Sequence, residues 1–147
     1  MGLIARLLGL FRPPPVLQVA MLCTREGADG LEVLLVRSLD SGHWILPKGW
    51  PMDGRSLAEA AAIEAWEEAG ARGDVLPHEV GRYMAAKRSS AGLVQPAQVV
   101  VFRMDRTVLH DDYPEADLRK RRFLPVEKAA RRADLDAIGD LIRRVLG

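Results

Sequence analysis

At 147 residues and 48% hydrophobic content, the chain is long enough for one globular domain with its own core and too short to favour two. A formal net charge of +1 argues against a chain-wide basic surface, and so against DNA or an anionic membrane as the main partner. The single cysteine, Cys23, lies in an apolar run with no partner for an intrachain disulfide, which fits a reducing cytoplasm and a core position, not a nucleophile.

The chain opens with an apolar segment over residues 1–11, interrupted by Arg6 and followed by Arg12 and three prolines at 13–15. That segment is too short for stable insertion across a bilayer, and it lacks the order of charge, apolar stretch and small cleavage-site residues of a signal peptide. Arg6 stands where an N-myristoylation signal needs Ser or Thr. We therefore divide the chain into an N-terminal segment with a stiff proline spacer, 1–15, and a domain over 16–147.

Residues 16–23 and 31–36 are apolar, branched-rich runs separated by Gly27 and Gly30, the pattern of two strands joined by a turn. A polar turn over 38–42 and a short apolar run over 44–46 lead to Pro47 and a loop over 48–55 that carries glycine and proline. Ser56 with Glu59 forms a capping box, and Gly70 marks a helix stop. On a wheel of about 100° per residue, Ala58, Ala62, Ala65 and Ala69 form one stripe with Trp66 beside it, predicting the buried face. Further strands are expected over 81–87 and 98–104 with a flexible connection over 89–96. A last helix is expected to begin near Asp134, where Leu135, Ile138, Ile142 and Val145 keep helical spacing.

Opposite the predicted alanine stripe stand Glu64, Glu67 and Glu68, at i,i+3 and i,i+4 spacing. Like charges so placed destabilise a helix by roughly 0.2–0.5 kcal/mol per pair, and few cations sit at compensating offsets. Clustered hard oxygen ligands suit magnesium or manganese, although the three glutamates taken alone favour a solvated acidic face. The preceding run Pro47-Lys48-Gly49-Trp50-Pro51-Met52-Asp53-Gly54 shifts the balance, because a glycine loop feeding a helix can aim backbone groups at a metal or phosphate. Charge is distributed to match: residues 49–80 hold two Lys/Arg against seven Asp/Glu, and 81–147 hold fourteen against nine, so an acidic centre precedes a basic tail.

The segment 49–71 resembles the Nudix box, G-x5-E-x7-R-E-U-x-E-E-x-G-U with U a bulky aliphatic residue. Gly49 matches the first glycine, Glu64 the glutamate of R-E, Glu67 and Glu68 the paired glutamates, and Gly70 the last glycine, without a gap. Arg55 stands in place of the first glutamate, Ile63 in place of the arginine, and Ala65 and Ala71 at the aliphatic positions. In the family the two exchanged positions support loop-helix geometry, and both members of that charge pair are altered together here.

The resemblance implies an α/β fold, a Nudix-like α/β/α sandwich with a mixed central sheet. It also implies metal-dependent phosphoanhydride hydrolysis with Mg2+ or Mn2+ held by the Gly49 carbonyl, Glu64, Glu67 and Glu68. Glu67 is the expected general base. A weaker resemblance over 16–146, in Leu-Leu-Val-Arg-Ser before the loop, in the run 44–49 and in the run 122–129, is to enzymes acting on diphosphoinositol or diadenosine polyphosphates. Lys48, Arg37, Ser38 and Arg122 are the expected contacts to such a small-molecule polyphosphate, with Lys87, Arg88 and the rest of the 119–122 cluster as further cations. A catalytically silent ligand-binding domain and an RNA-end pyrophosphohydrolase are the alternatives, and a homodimer stays open. Trp66 is expected in the core, Trp44 and Trp50 over the glycine loop, and Asp111, Asp112 and Glu115 in an acidic patch able to add a ligand or base.

Overall fold

A computed structural model describes residues 14–88 and 91–147, so the N-terminal segment up to residue 13 lies outside the described residues. Strand β1 (Val16–Gly27) turns at Ala28 and Asp29 into β2 (Gly30–Arg37), the hairpin that the paired glycines announce. Two short strands follow, β3 (Trp44–Ile45) on β2 and β4 (Lys48–Gly49) on β1. Helix α1 (Leu57–Ala69) leads into β5 (Ala71–Val75), then β6 (Gly81–Arg88), β7 (Val94–Leu109) and β8 (Arg121–Pro125). Helices α2 (Val126–Arg132) and α3 (Asp136–Leu146) end the chain.

The sheet is mixed. β1 runs parallel to β7, with Val16 opposite Ala97 and Cys23 opposite Met104, and the other pairings are antiparallel. α1 packs on β1, β4, β5 and β7, while α2 lies on β2 and β8 and α3 on β6, so helices flank the sheet as an α/β/α sandwich. Strands covered on both faces lose the polar alternation of half-exposed ones. β1 shows this directly, since every residue from Gln18 to Thr24 is buried.

Helix α1 has the predicted ends. The Ser56 hydroxyl accepts from Glu59 N at 3.1 Å, and Glu59 Oε1 accepts from Ser56 N at 3.0 Å. Gly70 closes the helix in the left-handed region at φ 63°. The buried face is rotated from the predicted stripe: Ala60, Ala61, Ala65, Glu68 and Ala69 are buried, and Ala58 and Ala62 only partly so. The wheel fails because it ranks apolar side chains alone, whereas Glu68 enters the interior with polar partners of its own.

Other departures have local causes. β5 and β8 escape sequence reading because ARGDV and RRFLP lack two-residue hydrophobic alternation, each being ordered by a neighbouring strand. α2 is seven residues long with no side-chain cap, so it leaves no start signal. β7 begins at Val94, inside the stretch expected to be a flexible connection. Trp66 is half-buried, not core, with its ring edge-on to His110 and the Arg72 guanidinium 3.9 Å from its centroid.

Gly70 combines a positive φ with crowding, because a β-carbon there would lie 2.6 Å from the His110 carbonyl oxygen. Gly70→Ala should therefore cost about 1–3 kcal/mol of stability, read as a lowered midpoint in urea unfolding at unchanged slope.

Candidate active site

Strand β4 holds the glycine loop against the centre of the sheet: Lys48 and Gly49 pair with Ala20 and Val19, and Met21 N donates to Pro47 O at 3.0 Å. Helix α1 lies beside it, and a β-carbon at Gly49 would overlap the Glu64 carboxylate. Glycine at 49 answers to that close approach and not to an unusual φ. Glu64 and Glu68 line a cleft of about 680 Å³, and Lys48, Lys87 and Arg88 line it with them.

Glu68 is 4% exposed, and both of its oxygens are engaged. Oε1 accepts from Lys48 N at 3.1 Å and Oε2 from Arg119 Nη1 at 2.9 Å. Arg119 Nη2 reaches Glu115 Oε1 at 2.5 Å, and Glu115 N donates to Glu67 O at 3.0 Å, which ties the β7–β8 connection to α1. Arg121 secures the end of the helix, donating to Ala69 O at 2.7 Å and His110 O at 2.6 Å. By contrast, the Glu64 and Glu67 carboxylates accept no hydrogen bond among the described residues.

Desolvation pushes the Glu64 carboxyl up to about 7, with Glu67 and Glu115 adding repulsion and Arg119 opposing. Glu68 is raised for the same first reason, burial outweighing Arg119 and the Lys48 amide. Lys48 moves the other way: burial and the nearby Lys87 lower its ammonium, against Glu68 and Asp40. Its Nζ donates to Gln18 Oε1 at 2.8 Å.

Of the residues singled out from sequence, Gly49, Glu64, Glu68, Lys48, Ser38, Lys87 and Arg88 line the cleft, as do Trp50, Glu115 and Arg119. Glu67 is half-buried on the same helix but outside the lining. Arg37 and Arg122 lie elsewhere, their guanidinium carbons 6.0 and 5.9 Å from the Trp44 ring centroid, and Arg122 borders a second hollow of about 370 Å³. The acidic patch divides, Glu115 turning to Arg119 and Asp111 to Arg121. Trp44 is buried, whereas Trp50 is 46% exposed at the cleft and covers less of the loop than expected. Gln18 was missed, although a lone amide inside the run 16–23 is itself a signal for a buried polar contact.

A glycine loop on the central strand, an acidic helix beside it and cations lining the same cleft define a site on an α/β/α sandwich. The chain belongs to the Nudix family, its residues 14–145 matching the NUDIX domain. Nudix hydrolase 12, mitochondrial, of Arabidopsis thaliana is 33% identical over 102 residues, covering 67% of this chain and 50% of that protein. The chain spans about half the length of the curated relatives it matches. The MutT protein from Methanosarcina mazei Go1 superposes with a TM-score of 0.65 at 25% identity, over 92% of this chain and 95% of that one. The C. elegans Ap4A hydrolase does so at 0.60 and 22% identity, over 89% and 96%, a likeness of fold. Among the described residues no helix is long and apolar enough to cross a membrane.

Cys23 is fully buried and its thiol is raised by burial, so it should resist a thiol reagent in the native protein and react only on unfolding. The raised Glu64 and Glu68 carboxyls set a pH dependence for the metal-free protein. Acids easier to ionise unfolded than folded contribute stability below about pH 4.5, lost as pH rises through about 7. Glu64→Gln should flatten part of that decline in thermal unfolding with a chelator present. An identical pH profile would mean that Glu64 ionises as freely as an exposed carboxylate.

Proposed function

We propose that the chain hydrolyses a phosphoanhydride bond in a nucleoside- or inositol-linked polyphosphate, of the diphosphoinositol or diadenosine polyphosphate type. One observation carries this reading: Glu64 and Glu68 of the acidic helix and the cations Lys48, Lys87 and Arg88 line a single cleft. A polyphosphate and its counter-ions need both signs of charge within one cavity.

The donor set suits magnesium or manganese. It offers only hard oxygens, and Glu64 is a partly buried carboxylate with no hydrogen bond to satisfy it among the described residues. The Gly49 carbonyl with Glu64, Glu67 and Glu68 would hold the ion. When bound, it supplies Lewis acidity to the bridging phosphates and lowers the pKa of water in its shell.

The remaining work falls to the protein. Glu67, whose carboxylate is likewise without a hydrogen bond among the described residues, accepts the proton of the attacking water. Lys48 is partly withdrawn from solvent, which strengthens its attraction for phosphate oxygens, and Lys87, Arg88 and Ser38 line the path of the chain. Arg37 and Arg122 would touch only a substrate reaching beyond the cleft. Trp50 and Leu39, both exposed at the cleft, offer apolar cover for a base or for the loop itself.

Hydrolysis products identified across diadenosine polyphosphates, diphosphoinositol polyphosphates, nucleoside diphosphate sugars, dinucleotides and nucleoside triphosphates, each with Mg2+ or Mn2+, test the reading. Binding without release of phosphate or pyrophosphate from any of them would make the chain a ligand-binding domain. Glu67→Gln should lower kcat by about 10²-fold or more with folding unchanged, the range expected for loss of a general base. Gly49→Ala should also stay folded, because the atoms its methyl displaces are the movable end of Glu64, yet it should lose most metal-dependent turnover. Full activity in Gly49→Ala would separate Glu64 from the chemistry.

A further inference from the structure

Arg119 is a buried cation at the acidic end of the site. Its side chain is 10% exposed, it donates to Glu68 and Glu115, and its Nε is buried without a partner. Burying a guanidinium is costly unless the surrounding negative charge repays it. Glu64, Glu68 and Glu115 all feel this cation or one another: Arg119 pulls the Glu64 and Glu68 carboxyls down while Glu115 pushes both up. Among the described residues no three acidic, histidine or cysteine side chains converge to hold an ion as they stand. Glu68 and Glu115 instead converge on Arg119.

The guanidinium also has somewhere to go. Arg119 borders both the main cleft and the smaller hollow, where Asp111 and Asp117 offer alternative negative charge. Glu68, by contrast, is held on its other oxygen by the Lys48 amide, a contact that does not depend on the guanidinium.

We propose that Arg119 is the resident counter-ion of the cleft and competes with a divalent cation for Glu68 and Glu115. The inference rests on the metal-dependent reading above. Entry of the cation displaces the guanidinium from Glu68 toward the second hollow, and in the metal-free protein Arg119 keeps the carboxylates from repelling one another. The residue acts through the glutamates and positions them; it does not touch the reacting atoms.

Mn2+ titrated calorimetrically into the full chain tests this with wild type, Arg119→Gln and Arg119→Lys, folding being checked by circular dichroism. Arg119→Gln should bind Mn2+ about tenfold more tightly than wild type, because a positive charge beside the ligands is gone. Its melting temperature should rise more on adding Mn2+ than that of wild type, and Arg119→Lys, which keeps the charge, should restore weaker binding. Equal or weaker Mn2+ binding by folded Arg119→Gln overturns the proposal.

A second measurement needs no folded variant: the Nε–Hε signal of Arg119 in wild type should shift in step with added Mg2+. A signal unchanged at saturation overturns the proposal. The two readings fail differently. Mn2+ binding that ignores Arg119→Gln sinks the competition alone, whereas a wild type that binds no Mn2+ sinks the metal-dependent function with it.

Discussion

The Glu68 carboxylate is taken out of water between a backbone amide, a guanidinium and a helix-on-sheet contact, and much of the surrounding structure follows from keeping it there. An unpartnered buried carboxylate costs on the order of several kcal/mol, so each oxygen needs a donor. Lys48 N supplies one, which fixes β4 and the glycine loop relative to α1. Arg119 supplies the other, which brings the β7–β8 connection over the helix. Three segments distant in sequence are thereby brought to one cleft by a single side chain, and the close approach of Gly49 to Glu64 belongs to the same arrangement.

The junction between loop and helix shows how the family geometry can be kept with different residues. Arg55 stands where the box has glutamate and Ile63 where it has arginine, so that pair is absent. In its place Arg55 lies 3.7 Å from Glu59 across an exposed i,i+4 step, an interaction that contributes little by itself. The reciprocal bonds of Ser56 and Glu59 hold the first turn more firmly. Glu59 thus serves both the cap and the relocated arginine.

Local chemistry made parts of the fold legible in sequence. The Ser56 cap, the Gly70 stop and the Gly27 and Gly30 turn are decided within a few residues, and all appear at the expected places. The buried side of α1 was not legible, because Glu68 enters the interior by virtue of Lys48 and Arg119, which no helical wheel contains. β5 and β8 are strands because β7 and β2 offer edges, and their own residues barely favour it. The glutamates could be read as a motif, whereas Gln18, Glu115 and Arg119 acquire roles only when β1 and the β7–β8 connection fold onto α1 and β4.

β7 has a further consequence, for the order of assembly. It runs parallel to β1 along Val16–Cys23 while serving β6 with its first half and β5 with its second. Parallel partners so far apart in the chain close a long loop before any contact rewards it, and such topologies form slowly. Arg119 and Glu115 follow β7 in the chain, so the long-range closure that seats β7 on β1 also brings them toward Glu68. A chain without that closure carries the carboxylates of its helix without their counter-ion, so the charge balance of the acidic site belongs to the whole sheet and not to the helix alone.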